Sequence, residues 1–392
     1  MTSADSRTSA PSSSEDAPSL VGTERFSPLH QTHVDNGASF TDFAGWQMPV
    51  RYSSDLAEHH AVRHEAGLFD LSHMAEILVE GPDAAAYLDF ALAGKLSVIE
   101  LGQAKYSLLL AENGGIIDDL VVYRLDDDRF LIVANAGNRF AAFDALLARA
   151  ADFTVSVLDQ SDDYALIAVQ GPNARAILDA TEGVTVGTDL RFMKYYRISD
   201  ATFRGQPLLV ARTGYTGEDG FELYLAPAQA RELWDALVVA GADKGLVPAG
   251  LASRDTLRLE AGMPLYGHEL NLTTFPAQAG LGRVVNLNKE NDFVGRSASE
   301  VGPPVGASVL VGLMSAGKRA GRADYEIFRS LDAEASDGVI TSGALSPTLG
   351  YPIAMAYVTA DLARLGTEVY VDVRGTRIPA TVTSLPFYKR VK

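Results

Sequence analysis

Residues 212–222, Arg-Thr-Gly-Tyr-Thr-Gly-Glu-Asp-Gly-Phe-Glu, place three glycines and several polar residues between two apolar runs. The upstream run, 207–211, predicts a buried strand, and the alternating downstream run, 221–225, predicts a second strand after a glycine-rich turn. Period-two alternation puts Glu222 and Tyr224 on the face opposite to the apolar residues of that second strand. A carboxylate beside an aromatic ring therefore points away from the core, next to a turn whose backbone can approach a ligand. An ordinary hairpin with a solvated glutamate is the alternative interpretation.

Length and composition exclude several classes of protein. A chain of 392 residues should form two or three domains, and 47% hydrophobic with 21% charged residues are globular values. The formal net charge of −17 argues against a nucleic-acid or membrane-surface binder, because such proteins need excess Lys and Arg. The chain has no cysteine, which excludes disulfides, thiolate nucleophiles and cysteine-based metal sites and fits a cytoplasmic protein.

Residues 1–25 are predicted to be a disordered tail, because they are rich in Ser, Thr, Ala and Pro and hold few large apolar side chains. They resemble neither a secretion signal nor a transit peptide, and no run of about 18 apolar residues predicts a membrane span. Helical and strand patterns then alternate without a regular rhythm, which indicates the α+β class. The predicted helices cover 55–66, 83–93, 136–151, 227–240 and 248–261, and another begins at Ala174. From about residue 309, short strands separated by Gly, Pro and Ser predict a small β-barrel or sandwich as a separate C-terminal domain.

A second informative segment is the pattern Asn113-Gly-Gly between two apolar runs, which predicts a hairpin. Alternation along the return strand places Asp118 and Asp119 on opposite faces, so one of them must lie on the more buried face. Asp119 shares its face with Tyr123 and apolar neighbours, where loss of water could raise its proton affinity toward that of a useful base. The alternative is that both aspartates only end the hairpin.

The common catalytic signatures are absent from the sequence. It contains no phosphate-binding G-x-x-x-x-G-K-[ST], no dinucleotide-binding G-x-G-x-x-G and no G-x-S-x-G. His60 and His64, four residues apart in a predicted helix, could face one metal ion. No acidic residue at a matching spacing completes such a site, so a solvated helix face is preferred and no metal is predicted. His73 is interpreted as a turn residue rather than a general base.

Seven blocks of sequence, in order along the chain, carry a resemblance to a known family. They are 42–49 (DFAGWQMP), 68–74 (LFDLSHM), 114–120 (GGIIDDL), 212–222, 253–262 (SRDTLRLEAG), 292–296 (DFVGR) and 341–348 (TSGALSPT). From about residue 27 to residue 392 the chain resembles the aminomethyltransferase, or T-protein, family of the glycine cleavage system. The resemblance implies a three-domain cloverleaf around a central hole, with two interleaved α+β folate-binding domains over 26–290 and a C-terminal β-barrel domain over 291–392.

The reaction that the resemblance implies transfers a methylene from the aminomethyl group on the lipoyl arm of H-protein to tetrahydrofolate, with release of ammonia. Lipoylated H-protein and tetrahydrofolate, the latter as co-substrate, are the implied partners. The alternatives are a folate-dependent demethylase of a small methylated amine or sulfonium compound and a non-catalytic folate-binding or scaffold protein. Retention of Asp119 argues against the last, since binding alone does not require that group. No coiled-coil repeat indicates a homo-oligomer, so a monomer is expected.

The resemblance also implies roles for individual residues. Glu222 would accept the neighbouring N–H donors of the pterin ring. Asp119 would be catalytic: it would hydrogen-bond the bridge nitrogen of folate and accept its proton or stabilise its developing positive charge. Arg254, one turn before Arg258, and Arg390 would meet the anionic glutamate tail. The remaining implied folate contacts are Tyr106, Tyr215, Tyr123 and Met74.

Some positions depart from the family pattern. His268 and Glu269 stand where Asn-Asp is expected, and Gln278 and Arg283 stand where a glutamate and a tryptophan are typical. The missing carboxylate and aromatic ring alter a family-typical surface.

Overall fold

The computed structural model describes residues 24–390. The α-helices in this range are α1 (His30–Asp35), α2 (Asp55–His64), α3 (Ala84–Ala91), α4 (Arg139–Ala148), α5 (Ala174–Ala180), α6 (Ala230–Gly241), α7 (Leu251–Glu260) and α8 (Arg296–Val301). The strands of the first part of the chain are β1 (Arg25–Phe26), β2 (Ser39–Phe43), β3 (Trp46–Arg51), β4 (Ala66–Asp70), β5 (Ala75–Glu80), β6 (Ala104–Leu110), β7 (Ile116–Asp126), β8 (Arg129–Ala134) and β9 (Ser156–Asp159). The remaining strands are β10 (Ala165–Gln170), β11 (Val184–Val186), β12 (Ile198–Phe203), β13 (Gln206–Ala211), β14 (Gly220–Leu225), β15 (Leu246–Pro248), β16 (Val309–Ser315), β17 (Glu326–Phe328), β18 (Gly338–Leu345), β19 (Pro352–Val358), β20 (Glu368–Asp372) and β21 (Arg377–Thr383).

These strands form three open sheets and a barrel over residues 24–390. A seven-stranded sheet has the order β11-β12-β13-β14-β10-β4-β15, and a five-stranded sheet has the order β6-β7-β8-β5-β9. A three-stranded sheet, β1-β3-β2, precedes them in the chain, and the C-terminal strands close into a barrel, β16-β19-β18-β17-β20-β21. The predicted α+β class with a C-terminal β-barrel is therefore confirmed.

The predicted disordered tail, residues 1–25, lies outside the described residues except for its last two. Of these, Arg25 begins β1, which pairs in parallel with β3, so Arg25 belongs to the folded part. None of the helices within residues 24–390 combines the length and apolar character needed to cross a bilayer.

The start of one predicted helix is wrong. The sequence pattern predicts a helix from Pro248, but Pro248 ends β15, and α7 begins only at Leu251. β15 pairs in parallel with β4 at the edge of the seven-stranded sheet. Proline is tolerated in an edge strand because its missing N–H need not serve a neighbouring strand.

Strand alternation divides the side chains of the central sheets between separate cores. On β14, Phe221, Leu223 and Leu225 pack into a core that also holds Trp234 of α6. Tyr224, on the other face of β14, packs into a different core with residues of the five-stranded sheet. The two large sheets therefore share one packed layer, and the polar residues of their facing sides are brought close together.

A buried ion cluster ties the barrel to the helices that support the site. Glu260, at the end of α7, accepts hydrogen bonds from Arg63 Nη2 of α2 at 2.8 Å and from Thr348 Oγ1 at 2.7 Å. His59 Nε2 lies 3.3 Å from the same carboxylate, and Ser346 Oγ donates to it at 2.5 Å. Burial opposes ionisation, but these donors and the charge of Arg63 lower the pKa of Glu260 to about 2. The barrel is thus held to α2 and α7 through one carboxylate.

Replacing Glu260 by glutamine is expected to reduce the free energy of unfolding by about 1.5–3 kcal/mol, because it removes the charged acceptor of this cluster, while Glu218 still pairs with Arg63 at 2.9 Å. In the wild type, the low pKa gives stability that is fully present above the ordinary pKa of 4.5 and is lost as the pH falls toward about 2. Denaturant titrations at a series of pH values measure both effects.

Glu232→Gln is the matched control, because Glu232 forms its ion pair with Arg204 at the surface, where such pairs contribute little. An unfolding free energy of Glu260→Gln equal to that of Glu232→Gln would contradict the structural role of this cluster.

Candidate active site

A cavity of about 500 Å³ lies between the seven-stranded and five-stranded sheets. Its wall combines aromatic and aliphatic side chains with a few polar groups, a mixture typical of small-molecule sites. The predicted site residues on its lining are Met74, Tyr106, Asp119, Tyr123, Tyr215, Glu222 and Arg254. Of the predicted residues, Arg390 is the one that does not line the cavity.

The glycine-rich turn between β13 and β14 forms one side of this cavity. It packs on Gln170, whose Nε2 donates a hydrogen bond to the Thr213 carbonyl at 3.0 Å. A Cβ atom at Gly214 would lie 2.0 Å from Gln170 Oε1, and one at Gly220 would lie 2.3 Å from Gln170 Nε2. A side chain at either position would displace the Gln170 amide that holds the turn, and the turn lines the cavity with Thr213, Gly214 and Tyr215.

Glu222 reaches the cavity from β14. Its Oε2 accepts hydrogen bonds from Thr213 Oγ1 at 2.5 Å and from Tyr123 Oη at 3.4 Å. No hydrogen bond to Oε1 forms within residues 24–390, which leaves this oxygen for a ligand. Burial raises the pKa of Glu222, and the hydrogen bond from Thr213 opposes that shift. The interpretation of Glu222 as a solvated hairpin residue is therefore wrong.

Asp119 reaches the same cavity from β7 of the five-stranded sheet. Its Oδ2 accepts a hydrogen bond from Tyr106 Oη, and its Oδ1 accepts one from Asn135 Nδ2, each at 2.9 Å. Burial raises the pKa of Asp119 above its ordinary value, although both hydrogen bonds lower it. This direction agrees with the predicted rise in proton affinity. Asp118 is the aspartate on the more buried face, with no exposed surface.

Arg254 brings the positive charge of α7 to the cavity. Its guanidinium carbon lies 4.9 Å from the centre of the Tyr215 ring, within the range of a cation–π contact. The Tyr215 hydroxyl donates to the Pro264 carbonyl, which fixes the ring under the guanidinium. Among the described residues no acceptor forms a hydrogen bond or ion pair with the Arg254 side chain, and burial lowers its pKa. Such a donor group is suited to an anionic or carbonyl-bearing ligand.

Two family models together match most of the chain. The GCVT N-terminal domain matches residues 29–289, and the glycine cleavage T-protein C-terminal barrel domain matches residues 309–389. The chain belongs to the glycine cleavage T-protein family. An aminomethyltransferase of Cutibacterium acnes is 57% identical over 372 residues, which cover 94% of this chain and 99% of that protein. One of Streptomyces avermitilis is 53% identical over 376 residues, which cover 94% and 98%.

A solved T-protein has the same fold. The crystal structure of glycine cleavage system aminomethyltransferase T from Bartonella henselae superposes with a TM-score of 0.85 at 38% identity, covering 94% of this chain and 99% of that one. The T-protein fold predicted from the resemblance is thereby confirmed.

Two further arginines, Arg258 of α7 and Arg390, which was expected to meet the glutamate tail, do not line the cavity. Arg258 is buried and occupied by its own partners, with Nη1 3.0 Å from Glu269 and Nη2 donating to Ser342 at 2.8 Å. Arg390 Nη1 lies 3.6 Å from the Asp219 carboxylate and outside the cavity lining. Arg258 is therefore a structural residue, and a folate contact of Arg390 stays a prediction.

The histidines singled out in the sequence have different surroundings. His73 lies in the turn between β4 and β5, as predicted, but it is also buried and lines the cavity. Burial and the charge of Arg254 lower its pKa to about 4, so its ring is neutral near pH 7. The rings of His60 and His64 stack with centres 6.0 Å apart. Over residues 24–390 no group of three or more His, Cys, Asp or Glu side chains is arranged to hold a metal ion.

The positions that depart from the T-protein pattern are not on the cavity lining. Gln278 accepts a hydrogen bond from the Phe275 N–H and donates one to the Ser308 carbonyl, each at 3.0 Å, which ties two loops together. Glu269 is buried against Arg258, and Arg283 is exposed. These departures change neighbouring surface and loop contacts and leave the wall of the cavity as it is.

Two polar residues of the site were not predicted from the sequence. Thr213 is the donor that orients Glu222, and Asn135 is the donor that orients Asp119. Thr213 lies inside the quoted glycine-rich segment. Asn135 follows the last residue of β8 directly, so a polar residue at the end of a buried strand was the available signal.

Proposed function

We propose that this chain is a tetrahydrofolate-dependent aminomethyltransferase of the glycine cleavage system, which moves a methylene from the aminomethyl-lipoyl arm of H-protein to tetrahydrofolate and releases ammonia. The observation that carries the proposal is that two carboxylates from different sheets, Glu222 and Asp119, face one cavity of about 500 Å³. Membership of the family supports it, because the relatives at 57% and 53% identity are named aminomethyltransferases.

The chemistry of the lining fits a reduced folate. The uncommitted Oε1 of Glu222 suits the neighbouring N–H donors of a pterin ring, and the unpaired guanidinium of Arg254 suits a carboxylate or carbonyl. Tyr106, Tyr123, Tyr215 and Met74 supply the aromatic and apolar contacts that we propose for the rest of the molecule. Bound tetrahydrofolate would supply the amine nitrogens that take up the one-carbon unit.

Asp119 is the proposed catalytic residue. The Tyr106 hydroxyl and the Asn135 amide hold its carboxylate in one orientation before any ligand enters, so no reorganisation is needed during the reaction. From this position it would hydrogen-bond the bridge nitrogen and accept its proton or stabilise its positive charge. Its raised pKa lies closer to neutral pH than that of an ordinary aspartate, which makes its carboxylate a better proton acceptor.

Other features follow from the proposed activity. We propose lipoylated H-protein as the donor partner, a monomeric enzyme and a location in the cytoplasm. We also propose folate-binding domains over 26–290 and a barrel domain over 291–392, a division supported by barrel strands that lie between residues 309 and 383.

One assay tests the proposed function. Purified protein is mixed with tetrahydrofolate and aminomethylated H-protein, and ammonia and methylene-tetrahydrofolate are followed together. The proposal predicts equal amounts of both products. Small methylated amines and sulfonium compounds are tested in parallel, and turnover with one of them but not with H-protein would replace the proposal by a demethylase.

A further inference from the structure

One amide side chain lies between two adjacent carboxylates at the rear of the cavity. Asn135 Nδ2 is 2.9 Å from Asp119 Oδ1, 2.8 Å from Asp118 Oδ1 and 3.0 Å from the Asp119 carbonyl oxygen. The Asn135 backbone N–H donates to Asp118 Oδ2 at 3.0 Å. Because acceptors surround this atom of the side chain, it must be the amide nitrogen and not the amide oxygen.

The strand register explains why Asn135 reaches both carboxylates. β7 and β8 are antiparallel with Val121 opposite Val133, so continuation of the pairing places Asn135 opposite Asp119. β8 ends at Ala134, and Asn135 follows directly with an extended backbone. Its amide side chain therefore lies beside Asp119 where the strand pairing stops.

Asp118 is a buried carboxylate whose hydrogen bonds all come from N–H groups. It has no exposed surface, and its three hydrogen bonds come from N–H groups, two of Asn135 and one of Asn138, whose Nδ2 lies at 2.6 Å. None of these groups can accept a proton from a neutral carboxyl. Burial and the charge of Asp119 raise the pKa of Asp118 well above its ordinary value, although the N–H donors oppose that rise. No Lys, Arg or His within residues 24–390 forms an ion pair with Asp118.

Few other charges act on Asp119. The titratable groups that face it from the surrounding elements are Tyr106, Tyr196, Tyr215, Tyr266, Glu269 and Asp118. The tyrosines are neutral near pH 7. Glu269 is paired with Arg258 at 3.0 Å, and its charge still contributes to the raised pKa of Asp119. Asp118 is the adjacent carboxylate, and Asn135 donates hydrogen bonds to both aspartates.

We propose that Asn135 is a positioning residue that holds the Asp119 carboxylate toward the cavity and ties it to the buried carboxylate of Asp118, so that the two aspartates act as one unit. This inference rests on the proposed function, in which Asp119 is catalytic. The donors of Asn135 stabilise the charged forms of both aspartates, and a charge on either aspartate opposes a charge on the other. The two effects have opposite signs on the pH at which Asp119 becomes protonated.

Three substitutions test the proposal through the turnover number measured as a function of pH. Asn135→Ala removes the donor and is expected to lower turnover about 10- to 100-fold and to move the acidic limb of the profile to higher pH. Asn135→Asp keeps the shape but adds a third carboxylate, so it should lose more turnover and move the limb further. Asn138→Ala removes a hydrogen bond from Asp118 alone, so the acidic limb of its profile should move to lower pH, and a limb at higher pH than in the wild type would contradict the proposal.

Tetrahydrofolate titrations and thermal melts of the same proteins separate effects on catalysis from effects on folding. Asn288→Ala is the control, because Asn288 is exposed and is not part of the cavity. Folate affinity close to that of the wild type is expected for Asn135→Ala. Wild-type turnover and limb position in Asn135→Asp would overturn the inference and leave the proposed function intact. A wild-type protein that releases no ammonia from aminomethylated H-protein would overturn both. Asn135→Ser is the second variant if Asn135→Ala is too unstable to assay.

Discussion

Asp119→Asn is expected to lower the turnover number by about two to four orders of magnitude while tetrahydrofolate still binds with nearly wild-type affinity. Asparagine has the same shape, and its one oxygen still accepts the Tyr106 hydrogen bond, while its NH₂ group replaces the oxygen that accepts from Asn135, whose amide keeps Asp118 as an acceptor. It cannot accept a proton or stabilise a positive charge as a carboxylate does. Single-turnover measurements of methylene-tetrahydrofolate formation, together with fluorescence titration of folate, separate the two quantities.

Asp126→Asn is the control for this experiment, because Asp126 is the exposed last residue of the same strand. It should have wild-type turnover and wild-type folate affinity. Near-normal turnover of Asp119→Asn would remove this residue from the mechanism. A large loss of folate affinity would instead make Asp119 a binding residue.

Glu222→Gln is expected to weaken tetrahydrofolate binding by about 10- to 100-fold, because a charged acceptor paired with N–H donors typically contributes about 1.5–3 kcal/mol. The glutamine fills the same volume. Its NH₂ group would either replace Oε1 and face the N–H donors of the pterin ring, or replace Oε2 and lose the hydrogen bond from Thr213. The fold should be retained, since Glu222 makes no ion pair within residues 24–390. Isothermal titration with tetrahydrofolate measures the change.

Glu232→Gln removes the same charge from the exposed face of α6 and is the matched control. Its titration should coincide with that of the wild type. If Glu222→Gln bound tetrahydrofolate as tightly as the control, the pterin-binding role of Glu222 would be refuted.

Most secondary structure was predictable because local patterns determine it. The alternation of 221–225 predicted the two faces of β14, and the Asn-Gly-Gly turn predicted the hairpin of β6 and β7. The barrel strands were predicted from short apolar runs between Gly, Pro and Ser. The helix start at Pro248 failed because a partner strand, β4, distant in sequence, fixes that segment as an edge strand.

The site was less predictable than the fold, because its residues meet through long-range pairing. Alternation placed Glu222 on the face away from the core and Asp119 on the face that it shares with Tyr123, but it could not show that both faces line one cavity. The buried partners of Arg258, Glu269 and Ser342, come from a loop and from the barrel, so its structural role was not visible from its spacing after Arg254. The contact of Asn135 with two aspartates likewise depends on where β8 ends.

A crystal structure of the protein with tetrahydrofolate bound tests the central claim most directly. The account predicts that the pterin N–H groups lie within hydrogen-bond distance of Glu222 Oε1 and that the bridge nitrogen lies within hydrogen-bond distance of Asp119. A coenzyme bound outside the cavity, or one that contacts neither carboxylate, would contradict it.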